Sequence, residues 1–359
     1  MRVALIAPPF ISVPPKRYGG TELFVGCLAE RLRHRGIDVV VYATGDSTVG
    51  AEVRFLYPQS EWPLAGEIFS NLKDVNHTFW AVSDAMRDCD IIHLNNAPGL
   101  AASRFARVPI VYTVHHPHDA DLSDFYASYP EINYVTISDA QKSLEAMPKM
   151  TTIHHGISIE DYPFQAKKQP YLSFIGRLAP VKGPHIAIEI AKKTGIPLKI
   201  AGEVQPVFKD YFETQVKPHI DGKLIEYIGE ADKQIKDDLL SNSMALLFPI
   251  EWNEPFGLVM IEAMACGTPV IALPGGSVGE VVSDGISGYV CQSPEEMIER
   301  IRNLSIPNAI IRQYAQKYFS AERMAMKYVS LYESLIGNVD LVLPEADTLS
   351  LTVEPGTAA

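Results

Sequence analysis

The sequence predicts an α/β protein of two domains, each a parallel sheet covered by helices on both faces. Three observations carry this. The chain has 359 residues, too many for one ordinary core and a comfortable length for two. Short apolar runs alternate with amphipathic stretches, which is the rhythm of βαβ units. That rhythm then restarts after residue 165.

In the first domain, 1–160, buried strands are expected at 3–7, 38–42, 91–94, 110–114 and 134–137. Helical patterns lie between them at 21–35, 77–87, 100–106 and 139–147. A polar stretch at 155–170, with Pro163 and Pro170, reads as the linker. In the second domain, 166–320, strands are expected at 172–175, 198–201, 224–228, 245–248, 270–272 and 288–290. Helices fill the gaps, notably 183–193 and 258–265, and a last helical pattern covers 321–336. The tail, 337–359, carries Asp340, Glu345, Asp347 and Glu354 and no base, so a poorly ordered extension is expected there.

Composition narrows the function. Apolar residues make up 47% and charged residues 21%, and the net charge is −12. That balance argues against nucleic acid, because nothing would neutralise a long track of phosphates. It also disfavours an anionic lipid surface. No apolar run approaches the length that crosses a bilayer, and residues 2–7 are too short for a signal-peptide core. Cys27, Cys89, Cys266 and Cys291 are scattered with no C-x-x-C pair, which suggests free thiols in a reducing cytoplasm. Nothing in the pattern fixes the oligomeric state, and a homo-oligomer is compatible with it.

The most informative stretch is PIEWNEPFGLVMIEAMACGTPVIA, 249–272. Pro255 pushes Glu254 out of helical geometry and into an extended loop. Gly257 lets the backbone approach a ligand at the start of the next helix. The free N–H groups there, with Leu258 and Val259 in the first turn, suit a phosphate. A carboxylate accepts two hydrogen bonds, which suits paired sugar hydroxyls, and Glu262 falls about one turn into the helix. A second signal is FIGRLAPVKG, 174–183. Arg177 and Lys182 project from one loop at the carboxyl end of a strand, where open α/β sheets bind ligands. Two fixed cations there can neutralise a departing diphosphate. A third is the loop ending in Gly19-Gly20-Thr21-Glu22, whose glycines let backbone amides reach phosphates. It is not G-x-G-x-x-G, so a nicotinamide dehydrogenase is poorly supported. Thr21 and Glu22 could equally cap the helix.

Glu254 and Glu262, with PFGLVMIEAMACGTPVIA around them, resemble the E-x7-E signature of family-4 glycosyltransferases. The resemblance covers about 1–336 and is strongest over 172–290. It implies the GT-B fold, two Rossmann-like domains facing a cleft, with the final helix crossing back onto the first domain. It implies a retaining enzyme that takes a hexose from a nucleoside diphosphate sugar, UDP-glucose being favoured by general likeness. No metal or other cofactor is implied. By the same resemblance Arg177 and Lys182 stabilise the leaving diphosphate, Glu254 holds sugar hydroxyls and Glu262 the ribose. Phe256, Gly257, Leu258 and Val259 join the donor site, and Gly19 and Gly20 match the family's G-G-x-E. Glu203, Ile228 and Glu230 fall where the base packs. His115, at the end of a strand, faces the reacting sugar and could bond the donor hexose or orient the acceptor hydroxyl. His155-Gly156-Ile157 sits at the interdomain N-G-[IV] position, with His for the usual Asn. Ser138 reads as a helix cap, and Gly275-Gly276-Ser277, Glu280, Gly285 and Gly288 complete the C-terminal pattern in turn roles. The run PPFISVPPKRYGGTE is similar to pterin glucosyltransferases, and net acidity favours a small soluble acceptor over a lipid.

Other readings remain open on the residues. His115, His116, His118, Asp119 and Asp121 look like metal ligands, and Asp119-Ala120-Asp121 imitates the D-x-D of metal-dependent transferases, so a metal-dependent hydrolase is one rival. A GT-B sugar-nucleotide epimerase and a non-catalytic sugar-nucleotide sensor are the others.

Overall fold

A computed structural model describes residues 1–16, 19–62 and 67–337. The acidic tail beyond Gly337 lies outside the described residues, as does most of the sequence assigned to that expectation.

The first sheet has seven parallel strands: β1 (Arg2–Ile6), β2 (Asp38–Tyr42), β3 (Glu52–Arg54), β4 (Ile91–Leu94), β5 (Ile110–Val114), β6 (Asn133–Thr136) and β7 (Met150–Thr152). Their order is β3-β2-β1-β4-β5-β6-β7. The second has six: β8 (Gln169–Ile175), β9 (Leu198–Ala201), β10 (Ile225–Gly229), β11 (Ser243–Phe248), β12 (Val270–Ala272) and β13 (Gly288–Val290), in the order β10-β9-β8-β11-β12-β13. Each sheet is thus doubly wound, and the chain is an α/β protein of two Rossmann-like domains. The order reverses between β1 and β4 in the first sheet and between β8 and β11 in the second. A crevice opens at such a reversal because the flanking helices leave in opposite directions. The chain segments that follow β1, β4, β8 and β11 are those carrying Gly19, Asn95, Arg177 and Glu254.

The strands at 38–42, 91–94, 110–114, 198–201, 270–272 and 288–290 fall where the apolar runs place them. β3 and β7 are additions. They are short edge strands with little burial, so they carry no apolar run. The helix expected from 77 begins ten residues earlier, spanning Glu67–Ala85. Its first turns expose Ile68, Phe69 and Leu72, which blurs the one-sided apolar stripe. The helix expected over 100–106 is a 3₁₀ segment, Ala97–Arg104. The one expected over 139–147 is a single turn, Asp139–Lys142, continued by i→i+3 bonds at Leu144 and Glu145. Pro148 bars a helical conformation just before it.

The chain crosses between the sheets twice, side by side. Ile157 N–H donates to the Phe319 carbonyl (3.0 Å), and Ala321 N–H donates to the Ile157 carbonyl (2.8 Å). The helix Ala321–Gly337 then lies on the first sheet. Met324, Ala325, Tyr328 and Tyr332 bury against Phe24, Leu28 and Leu32 of the helix Gly20–His34. Each fully buried side chain of this size contributes roughly 1.5–3 kcal/mol. The two tyrosine hydroxyls keep partners in that core: Tyr332 with His93 Nδ1 (2.6 Å) and Tyr328 with Thr113 Oγ1 (3.0 Å).

Candidate active site

The loop after β8 brings Arg177 and Lys182 to the crevice. Lys182 Nζ lies 2.5 Å from Glu254 Oε2 and 4.3 Å from the centre of the Trp252 ring. Trp252 Nε1–H donates to the same carboxylate oxygen at 2.9 Å. Glu254 is thereby fixed by two donors while almost fully buried. Burial lowers the Lys182 pKa, and the adjacent Arg177 charge adds to this against the pull of Glu254. Arg177 is half-buried and makes no side-chain hydrogen bond or ion pair with the described residues. With Lys182 balanced by Glu254, Arg177 is the cation of this loop without an ion pair among the described residues. The loop can sit this close to the segment after β11 because residue 183 is glycine. Its backbone is left-handed (φ 71°), and a Cβ there would collide with the Pro249 carbonyl.

Two helix N-termini meet beside these cations. The helix Leu258–Ala265 starts after Gly257 (φ 80°), and the helix Gly20–His34 after Gly19; neither has a side-chain cap. A Cβ on Gly20 would lie 3.6 Å from the Leu258 side chain, so the two ends face each other. Their unfilled N–H groups and dipoles sum to a site for an anion. Of the two candidate caps, Glu22 lies in the first turn of the helix and its carboxylate accepts from its own backbone N–H. Glu22 tucks beneath Gly19, and burial pushes its carboxyl up to about 7. Ser138 does act as a cap, accepting from Gln141 N–H (3.0 Å).

Glu262 is also buried. Its Oε1 accepts from Tyr162 O–H (3.1 Å) and from Lys236. Phe256 is placed differently from expectation. Its ring is only 2% exposed and packs in the interdomain core against His155 and Phe319, so a donor could meet this position only through the backbone. Glu203 follows β9, its carbonyl accepting from Leu178 N–H (3.0 Å) next to Arg177, and Ile228 and Glu230 stand at the end of β10. Glu203 shares a hydrogen bond with Gln205 (3.3 Å), and Ile228 packs beside Tyr171 and Leu239.

His115 ends β5. Its Nε2 lies 2.9 Å from Asn95 Oδ1. Its ring stacks on His155 (5.5 Å, 13°), which meets Phe256 edge-on (5.1 Å). This row of rings spans the crevice from one lobe to the other. Burial pushes His155 down to about 3 and holds His115 well below its usual range, so both are neutral bases. The other ligand-like residues nearby are used elsewhere. His118 pairs with Glu145 (3.1 Å), and Asp119 caps the helix Ala120–Ala127 through Leu122 N–H (3.0 Å). The residues from His115 to Asp121 therefore form no metal cluster. Among the described residues, three ligand-type side chains converge only at Asp139, His154 and Glu280.

That trio already has its own work. Glu280, from the second lobe, accepts from the N–H groups of Asp139 (2.8 Å) and Ala140 (2.6 Å) in the first, and lies 2.9 Å from His154 Nε2. Burial raises the Glu280 pKa, but these hydrogen bonds outweigh it and the net shift is downward. Its contribution is therefore present above the ordinary value of 4.5 and fades as pH falls below it. Glu280→Gln should lower Tm at pH 7 and flatten the loss of Tm below pH 4.5; an unchanged pH profile would show that this contact does not join the lobes.

Tyr162, Lys236, Trp252 and Asn95 escaped the sequence reading. Trp252 stands two residues before Glu254 and could have been found by proximity. The others come from distant segments and leave no local signal.

The fold, two Rossmann-like domains with parallel sheets, is that of solved glycosyltransferases of GT-B type. Residues 18–178 match the family described as Glycosyltransferase Family 4, and residues 159–318 match Glycosyl transferases group 1. Together the two matches run from residue 18 to residue 318. A glycogen synthase of Mycobacterium tuberculosis is 28% identical over 235 residues, 56% of each chain, so the match spans little more than half of that relative. Among solved structures, sucrose-phosphate synthase from Thermosynechococcus elongatus superposes with a TM-score of 0.78 at 19% identity, covering 94% of this chain and 99% of that one. Anabaena HepE, solved in complex with UDP-glucose, does so with a TM-score of 0.71 at 18% identity, covering 93% and 100%. No helix among the described residues is long and apolar enough to cross a membrane.

Proposed function

We propose that the protein is a retaining glycosyltransferase that moves a hexose, glucose from UDP-glucose in the favoured case, to an acceptor hydroxyl without a metal. The observation that carries this is the uncompensated Arg177 beside Lys182 and Glu254, facing two uncapped helix N-termini. An anion and a polyhydroxyl group are recognised side by side there, as a sugar diphosphate requires. The bond from C1 of the hexose to the β-phosphate oxygen breaks, and the acceptor oxygen bonds C1 on the same face. The acceptor proton passes to the departing phosphate oxygen. Arg177, Lys182 and the helix N–H groups stabilise the charge that develops on that phosphate. Glu254 exchanges Lys182 for hexose hydroxyls, and Glu262 accepts from the ribose. Closure of the lobes keeps water from the donor. The acceptor we favour is small and soluble, such as a pterin, on the net charge of −12 and the N-terminal likeness. Four unpaired cysteines suit a cytoplasmic setting.

A thermal-shift series with UDP, GDP, ADP and their sugars tests the donor; UDP and UDP-glucose are expected to give the largest rise in Tm. Glu262→Ala should raise the donor KM about 10- to 100-fold with a smaller change in kcat, since a hydrogen bond to a charged group is worth about 1.5–3 kcal/mol. Unchanged donor binding in a folded Glu262→Ala protein would remove the ribose assignment.

A further inference from the structure

We infer that Asn95 is a positioning residue: it fixes His115 as the tautomer with its hydrogen on Nε2, so that Nδ1 offers a lone pair to a substrate hydroxyl in the crevice. The substrate part of this rests on the transferase reading above; the tautomer part does not.

The assignment follows from valence across three neighbouring strand ends. Asn95 stands just past β4, between the ends of β1 and β5. Its Nδ2 lies 3.0 Å from the Ile6 carbonyl oxygen, and its own backbone N–H donates to the same oxygen at 3.0 Å. A carbonyl oxygen can only accept, so the amide must turn its NH₂ group toward Ile6. Its Oδ1 then faces His115 Nε2 at 2.9 Å. That oxygen also can only accept, so Nε2 carries the hydrogen. In a neutral ring Nδ1 is then an acceptor. Nδ1 bonds to none of the described residues, and it is not among the unpartnered atoms sealed from solvent.

The ring cannot turn away from this arrangement cheaply. His155 stacks on one face, and Phe24 meets it edge-on at 5.0 Å. Burial is the main cause of the low His115 pKa, and the neighbouring His155, His116 and His93 add to it. The ring is thus a fixed neutral acceptor and cannot serve as a cation for phosphate. What such a group recognises is an O–H, on the donor hexose or on the acceptor. The asparagine matters because it accepts without bringing a negative charge. A carboxylate in its place would favour the imidazolium.

Ring ¹⁵N and ¹³Cδ2 shifts of the ligand-free protein, assigned with His115→Gln, read the tautomer directly. The Nε2–H form is expected for His115 in the parent protein and, above its new titration, in Asn95→Asp, and a mixture of tautomers in Asn95→Ala. An Nδ1–H ring in the parent, or an unchanged His115 signal in Asn95→Ala, would overturn the assignment. Asn95→Asp keeps an acceptor toward Nε2 but loses the donor to Ile6, so the Tm of both variants is set against the parent's to exclude simple misfolding. Release of UDP from UDP-glucose, alone and with acceptor, should fall about tenfold in Asn95→Ala. In Asn95→Asp it should recover as pH rises past the new His115 titration. Loss without acceptor assigns the hydroxyl to the hexose; loss only with acceptor assigns it to the acceptor. Parent-like rates for Asn95→Ala under both conditions would overturn the substrate role. A parent protein that neither binds nor turns over UDP-glucose would instead overturn the donor reading, with the ring shifts still deciding the tautomer.

Discussion

Lys182→Ala is expected to lower kcat by about 10²- to 10³-fold, the usual cost of removing one preorganised charge from a developing oxyanion. The reason lies in where the ammonium sits. It is buried over the Trp252 ring, 2.5 Å from Glu254, beside a second cation that has no partner among the described residues. A charge in such a place acts through a low dielectric and needs no reorganisation when the leaving phosphate gains charge. The substitution leaves Glu254 bonded to Trp252, so the fold should persist with a loss of about 1–3 kcal/mol for the weakened partner set. Initial rates with UDP-glucose, set against Tm, separate the two effects. A kcat within twofold of the parent, in a protein that still binds UDP, would remove Lys182 from the transition state. Arg177→Ala should cost kcat as well, with little change in Tm, because Arg177 has no side-chain hydrogen bond or ion pair within the described residues to lose.

The second large effect is expected at Gly183. Its left-handed backbone (φ 71°) would strain any side chain, and a Cβ there meets the Pro249 carbonyl. Gly195 supplies an internal control. It has nearly the same φ (70°) and closes the helix Pro184–Thr194, but a Cβ there meets nothing within 4 Å. Gly195→Ala should therefore cost only the left-handed penalty, roughly 1–2 kcal/mol, and leave kcat alone. Gly183→Ala should cost that and the collision together, and it should lower kcat because the loop holding Lys182 is pushed off the segment holding Glu254. Chemical denaturation and kcat measured on both variants test this. Equal losses at the two positions would mean that the close approach of the two loops is not maintained in solution.

The buried histidines His93, His115 and His155 give a milder pH dependence of stability. His93 and His155 are pushed down to about 3, and His115 is held low as well, all chiefly by burial. The unfolded chain binds protons on these rings below its ordinary value of 6.5 while the folded chain does not. Stability should thus be full above 6.5 and decline as pH falls below it. Tm measured from pH 7.5 to 5 checks this, and a flat profile would contradict the burial of these rings.

Much of this was legible before any coordinates. Burial of a parallel strand on both faces demands a continuous apolar run, so 91–94 and 110–114 announce themselves. β3 and β7, half wet at the sheet edges, do not. The loop chemistry at Arg177, Lys182, Glu254 and Gly257 was also written locally, because each of those segments is a short string between a strand and a helix. Phe256 shows where such a string falls short. It stands inside the most telling string, yet its ring turns into the interdomain core.

By itself the sequence determined the two α/β lobes, the cationic loop and the acidic segment, because strand burial, glycine backbone freedom and proline restriction act over a few neighbouring residues. Only the tertiary structure decided which groups meet. It set Trp252 and Lys182 on one oxygen of Glu254, gave Glu262 to Lys236 and Tyr162, and fixed the His115 ring through Asn95 and Ile6. Those contacts join residues from separate strand ends, and their geometry follows from strand order and crossover packing, which no local pattern encodes.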